Sequence, residues 1–245
     1  MYPEFEEFNL GQVLERGAIP SHYLSPQYKN HLEGYIHNYL TMEIQQERFV
    51  RNLHAFQSFL EVAAFSNGEV INYANIGREA GVDAKTIKSY LDILEDSLIG
   101  HRLLPFQEKD KRENIFKSPK FYYFDVGLVN SLKRGAFPLP VPSIDGNILE
   151  SYIFQELKAY SSFHQPKMHL NFWRTFSGQE VDFILNRNIA IEVKLSHNIH
   201  TNYFKGLISF AEAHEAKDLI LVCNEDMPRL VEHKGHNIKV LPVED

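Results

Sequence analysis

The sequence predicts an α/β protein in two parts: an N-terminal helical region with a winged helix-turn-helix, then a helix, three strands, a helix and a strand. Three observations predict it. Apolar residues recur at helical spacing between 29 and 65: Leu32, Tyr35, Ile36, Tyr39, Leu40 and Ile44, then Phe49, Leu53, Phe56, Leu60 and Ala63. Residues 135–142 hold three prolines within five residues, which stop helix and sheet alike and mark a linker. Beyond it, strand-like runs alternate with helical ones. The divisions are 1–66 (helical region), 67–134 (winged helix) and 143–245 (α/β domain).

Residues 9–16 predict a short helix stopped by Gly17 and Pro20. His31, His37 and His54 follow at spacings that do not suit a metal pair. Residues 73–80 predict a helix with Gly81 as its stop, and Asp83 can cap the next, 84–96. Ile87, Leu91 and Leu94 form that helix's apolar stripe. Gly100 closes it. The runs 98–105 and 120–124 can pair as a β-wing around a basic loop. Two readings stay open for this module. One is DNA contact through Lys85, Thr86, Lys88 and Ser89, with Lys111, Arg112 and Lys117 of the wing loop. The other is packing or dimerisation, because Glu79, Asp92, Glu95 and Asp96 flank the surface. Asp125 can cap a short helix over 126–133.

In the last part, Asp145 or Asn147 can cap a helix running to about 161. Residues 168–175, 180–185 and 189–195 read as strands, joined by Ser177-Gly178 and by Asn186-Arg187-Asn188. Residues 203–214 read as a helix, and 217–223 and 238–241 as strands.

The net charge of −7 argues against a strongly basic nucleic-acid binder, but it is unevenly spread: −3 over 1–60, zero over 61–140 and −4 over 141–245. Lys109, Lys111, Arg112, Lys117 and Lys120 form the densest positive run. The one cysteine, Cys223, lies in an apolar run and reads as a buried strand thiol, so no internal disulfide is expected. No apolar run is long enough to span a membrane and no signal peptide opens the chain, so a cytoplasmic location without membrane contact is expected.

The chemistry concentrates on the hairpin 180–195. With a three-residue loop, Leu185 faces Ile189, Asp182 faces Glu192 and Glu180 faces Lys194. Alternation then puts Val181, Phe183, Leu185, Ile189, Ile191, Val193 and Leu195 on a core face, and Glu180, Asp182, Glu192 and Lys194 on the other. Two ionised carboxylates opposed across a strand pair repel unless a divalent cation, a shared proton or a lysine relieves them. Two carboxylates with the Val193 carbonyl and water would make the oxygen-rich shell that Mg²⁺ prefers. Lys194 could hold a water or a phosphate. The plain alternative is a solvated polar face with Glu180–Lys194 as an ordinary cross-strand pair.

The run Val181-Asp182-Phe183 followed by Ile191-Glu192-Val193-Lys194 resembles the PD-(D/E)XK nuclease superfamily, and the order of elements resembles its restriction-endonuclease-like αβββαβ core. The resemblance implies that Asp182 and Glu192 ligate Mg²⁺ or Mn²⁺ and that Lys194 orients the attacking water. It also implies that Glu150, on the preceding helix, supports the metal. A wider resemblance, through 35–47, 86–95, 117–128 and 172–194, is to the C-terminal part of bacterial and archaeal P-loop AAA-type ATPases. In these a winged helix and a nuclease-like domain of unknown function follow the ATPase core. No glycine here precedes a lysine, so the Gly-x-x-x-x-Gly-Lys-Ser/Thr loop is absent and no ATP-binding residue is assigned. The expected function is that of a Mg²⁺-dependent nuclease-like protein that binds or cuts DNA, with an ATPase segment or subunit as a partner and homo-oligomers allowed. The alternative is a non-catalytic DNA- or protein-binding module of such an ATPase.

Overall fold

The chain opens with three short helices, α1 (Leu10–Arg16), α2 (Pro20–Tyr23) and α3 (Tyr28–Gly34). The computed structural model describes residues 9–37, 50, 52–107, 118–136, 145–163 and 167–243. Asn9 caps α1 by accepting from the Gln12 N–H at 2.8 Å, and Gly17 ends the helix. Tyr39, Leu40, Ile44 and Phe49 of the expected amphipathic stretch lie outside the described residues. Its second half is α4 (Leu53–Phe65), which buries Phe56, Phe59, Leu60 and Ala63.

Helices α5 (Tyr73–Ala80) and α6 (Ala84–Asp96) occupy the expected ranges. Gly81 ends α5 at φ 71°, and Asp83 caps α6 by accepting from Thr86 N–H at 2.6 Å. The stop of α6 differs from expectation. Leu98 takes the left-handed conformation (φ 60°), while Gly100 opens β1 (Gly100–Leu103). β1 pairs antiparallel with β2 (Lys120–Tyr123), whose four residues are all buried. Lys109, Lys111, Arg112 and Lys117 lie outside the described residues.

Asp125 caps α7 (Val126–Ala136) and does more. Its Oδ1 accepts from Gly127 and Leu128, and its Oδ2 from Ala18 at 2.8 Å, which ties the end of α1 to the start of α7. α7 continues through Gly135, which the sequence placed in the linker; residues 137–144 lie outside the described residues. Asp145, not Asn147, caps α8 (Gly146–Phe163), accepting from Ile148 N–H at 2.8 Å.

A six-stranded mixed sheet completes the chain: β3 (Leu170–Arg174), β4 (Glu180–Leu185), β5 (Ile189–Lys194), β6 (Asp218–Cys223), β7 (Arg229–His233) and β8 (His236–Pro242). The strand order is β3-β4-β5-β6-β8-β7, with β5–β6 and β6–β8 parallel and the rest antiparallel. Between β5 and β6 run a 3-10 turn (Thr201–Phe204) and α9 (Lys205–Ala213). β7 was not expected. It is mostly exposed and lacks a clean apolar alternation, but Lys234 and Gly235 both have positive φ, the geometry of a two-residue hairpin. Cys223 is a free, buried thiol, as expected.

Two apolar clusters enclose the sheet. One joins α1, α4, α5, α6, β1, β2, α7 and α8 to Phe172, Phe183, Ile191 and Val193. The other joins α9 to Val181, Ile184, Ala190, Leu219, Leu221, Ile238 and Val240. The expectation of one core face and one polar face on the hairpin is therefore overturned. Both faces of β4 and β5 are covered, and Val181 lies in the opposite cluster from Phe183, while Leu195 is exposed. The reason is a β-bulge. Asn171 pairs with Ile184 and Trp173 with Val181, so Asp182 and Phe183 together stand opposite Phe172.

Helix α9 rests on β4 without intervening side chain. A Cβ at Gly206 would lie 1.8 Å from the carbonyl oxygen of Glu180. Gly206→Ala therefore forces backbone to move and is expected to cost about 1–3 kcal/mol, the usual range for overpacking. Denaturant unfolding checks this; a variant as stable as the parent would show that α9 does not lie this close. Among the described residues no helix is long and apolar enough to cross a membrane.

Candidate functional site

Glu150 reaches the sheet from the first turns of α8. The helix is held there by a buried polar knot on Asn67. Asn67 donates to Ser151 Oγ at 2.6 Å, accepts from the Tyr123 N–H at 2.8 Å, and its carbonyl accepts from Asn147 at 2.5 Å. Tyr122 stacks on Phe154 of α8, with ring centroids 4.2 Å apart. These contacts lock the β1–β2 hairpin onto α8, and Glu150 comes to lie against β2.

On the hairpin of β4 and β5, the paired residues are Phe183 with Ile191, Ile184 with Ala190 and Leu185 with Ile189. This is the expected register. The described ladder ends at Phe183, so the expected oppositions of Asp182 with Glu192 and Glu180 with Lys194 form no part of it. Asp182, displaced by the bulge, instead accepts from the Val193 backbone N–H through Oδ2 at 2.8 Å.

The four residues singled out in the sequence do meet, and a second lysine, Lys120, joins them. Lys194 Nζ lies 2.6 Å from Glu192 Oε1 and 3.8 Å from Asp182 Oδ2. Glu150 Oε1 accepts from Tyr122 OH at 2.5 Å and lies 3.0 Å from Lys120 Nζ. Lys120 also lies 2.8 Å from Glu180 Oε1 and 3.9 Å from Asp182 Oδ1. Glu180 makes its second ion pair with Arg174 at 3.3 Å, so the ordinary Glu180–Lys194 pair is not formed among the described residues.

Burial decides the electrostatics. Asp182, Glu192 and Lys120 are each less than 9% exposed. Burial, with Asp182 nearby, pushes Glu150 up to about 7 and Glu192 up to about 8. Burial by itself would lower Lys120, but the surrounding Tyr122, Glu150, Asp182 and Glu180 outweigh it and hold it well above its usual value. The same contest, against Asp182 and Glu192, raises Lys194. Glu192 Oε2 is buried without a hydrogen-bond partner among the described residues. That orphaned oxygen suits a further cation. The cage is not ready-made, since no group of three His, Cys, Asp or Glu among the described residues is set to hold a metal. Glu150 is occupied by Lys120 and Tyr122.

The other expected contacts lie apart from this cluster. Lys85, Lys88 and Ser89 are exposed and Thr86 half-buried at the start of α6. Of the acids flanking them, Asp92 and Glu95 are held by Arg102 of β1. Lys111, Arg112 and Lys117 lie outside the described residues. Sequence reasoning missed Lys120, Tyr122 and Arg174 as members of the cluster, and it grouped Glu180 with the acids without giving it a part in the site. Lys120 stood in the basic run as one surface charge among five; its neighbours Phe121, Tyr122 and Tyr123, an aromatic run that must be buried, were the available signal.

Comparison with known proteins places the chain. The profile of a family described as a domain of unknown function (DUF8612) matches residues 7–138, more than half of it. The chain belongs to that family. A second domain of unknown function (DUF4143) matches residues 145–245. Two curated relatives are each 26% identical over 189 residues: Uncharacterized protein Rv2008c of Mycobacterium tuberculosis and Uncharacterized protein Mb2031c of Mycobacterium bovis. The match covers 73% of this chain and 41% of each relative, so the chain spans less than half of their length. No solved structure matches it significantly.

A pH dependence follows for metal-free protein. The folded state holds protons on Glu150 and Glu192 at pH values where the unfolded chain, near 4.5, has released them. Their contribution is present below about pH 4.5 and is lost as pH rises through 7 to 8. In chelator, the melting temperature should fall across pH 5–8.5, and Glu192→Gln should shallow that fall. Parallel profiles for the two proteins would contradict it.

Proposed function

We propose that this chain is a metal-dependent, nuclease-like protein that acts on or binds DNA, with a restriction-endonuclease-like core and a winged helix. The observation that carries this reading is the convergence of Asp182, Glu192, Lys194 and Glu150 from β4, β5 and α8 on one buried cluster. The element order α8-β3-β4-β5-α9-β6 and the unpartnered Glu192 Oε2 support it. Mg²⁺ or Mn²⁺ fits the hard oxygen donors of Asp182 and Glu192, with Glu150 and the Val193 carbonyl in support. A bound divalent ion supplies charge at a phosphoryl oxygen and a more acidic water.

The chain's own residues then have separate tasks. Asp182 is positioned through its bond to the Val193 N–H. Lys194, one-third exposed, can hold a water or a scissile phosphate beside both carboxylates. Lys85, Thr86, Lys88 and Ser89 on α6, with Lys111, Arg112 and Lys117, would supply contacts to the DNA backbone. Given the net charge of −7, that contact should be weak and salt-sensitive. A P-loop ATPase, in the same polypeptide or as a partner, belongs to this reading, as do a cytoplasmic location and homo-oligomers.

A second reading has an observation of its own. Lys120 already neutralises Glu150 and Glu180, which suits a non-catalytic DNA- or protein-binding module of an ATPase. One experiment separates them. With Mg²⁺ or Mn²⁺ the purified protein should nick or cut DNA, Asp182→Ala should abolish this, and Lys194→Ala should abolish cutting while Mn²⁺ still binds. No cleavage of any substrate, with no metal binding by calorimetry, would leave the second reading.

A further inference from the structure

We propose that Lys120 is a built-in counter-cation of the carboxylate cluster, one that a divalent metal must displace in order to gather Glu150 with the other carboxylates. The inference rests on the metal reading of the site and concerns its regulation. Lys120 does not come from the hairpin that carries the acids. It comes from β2, the second strand of the small β1–β2 sheet. Lys120 is 3% exposed, and its ammonium lies within 4 Å of three carboxylates: Glu180 at 2.8 Å, Glu150 at 3.0 Å and Asp182 at 3.9 Å. It also sits over the ring of Phe172 at 5.5 Å. This is the environment of a bound cation, filled by the chain itself.

Lys194, one-third exposed, can stay beside a metal because water screens it, whereas Lys120 is enclosed and has no such screening. A metal on Glu150 Oε1, at a ligand distance of about 2.1 Å, could be no farther than about 5 Å from Lys120 Nζ. In a buried site two positive groups that close repel strongly. Either Lys120 stays and Glu150 is not a ligand, or Lys120 leaves and three carboxylates are freed together. There is room for it to leave. A cleft of about 330 Å³ opens beside Lys120, lined by Glu69, Val70, Asn147 and Arg174. Glu69 is exposed on its edge and can take the ammonium there. The backbone of β2 need not move, because Phe121, Tyr122 and Tyr123 hold it in the core. The site therefore rests in a neutralised form, and metal binds in exchange for a side-chain movement on β2. Anything that engages Lys120 from the cleft side, such as a nucleic-acid phosphate, would favour metal entry.

Titration calorimetry with Mn²⁺ on the intact chain tests this. Lys120→Met should bind Mn²⁺ at least ten-fold more tightly than wild type. It should melt lower than wild type without metal, because its carboxylates have lost their cation, and recover with Mn²⁺. Asp182→Asn should lose Mn²⁺ binding in either background. Equal or weaker binding by folded Lys120→Met overturns the proposal and makes Lys120 a fixed structural counterion; the metal reading survives if Asp182→Asn still abolishes binding. No binding by any form overturns both. Should Lys120→Met fail to fold, Lys120→Met/Glu180→Gln removes one anion with the cation. It should bind Mn²⁺ more tightly than Glu180→Gln alone. Failure of both variants to fold even in Mn²⁺ also overturns the proposal, since metal would then not replace the ammonium.

Discussion

A single buried ammonium organises the centre of this protein. Lys120 is surrounded by carboxylates from α8 and β4, and a charge taken out of water is tolerated only with such partners. The reverse also holds. Glu150, Glu180 and Asp182, brought together, repel one another unless a cation or a proton relieves them, and Lys120 supplies the cation. The β1–β2 sheet, α8 and the large sheet therefore meet where they do partly because their charges require it. The Asn67 bonds and the stacking of Tyr122 on Phe154 hold the same three elements around that point.

The bulge in β4 is the second constraint. In a regular strand Val181 and Phe183 would share one face and Asp182 would point to the other, so the two apolar side chains could not pack on opposite sides of the sheet. The extra residue lets Val181 pack under α9 and Phe183 under α8, while Asp182 turns toward the Val193 N–H. A carboxylate fixed by a backbone amide keeps its position whatever cation lies beside it. Lys194 and Glu192, at the end of β5, complete the cluster where the sheet's parallel strands end, a common place for sites in α/β folds.

Much of the local structure could be read directly. The ranges of α5 and α6, the caps Asp83 and Asp125, the pairing of β1 with β2 and the hairpin register Leu185–Ile189 all follow from short-range rules: periodicity, capping chemistry and turn residues. Asp182, Glu192 and Lys194 were found by spacing because they lie on one hairpin; Glu150 entered only through the resemblance to the nuclease superfamily. β7 was missed because an exposed edge strand carries no apolar alternation. The expected division into one core face and one polar face was wrong because nothing in the hairpin itself says that α8 and α9 cover both sides.

What the sequence determined by itself is thus the α/β class, most of the elements and the residue types of the candidate site. Each depends on contacts between residues near in the chain. Only the tertiary structure decided that the carboxylates are buried, that Lys120 lies among them and that Asp182 answers to the Val193 amide. Lys120 and Glu180 are separated by sixty positions, and no periodicity or spacing rule relates two charges so far apart. Their meeting is settled by how two hydrophobic faces pack. The charges, once enclosed there, must pair because the low-dielectric interior leaves them no water.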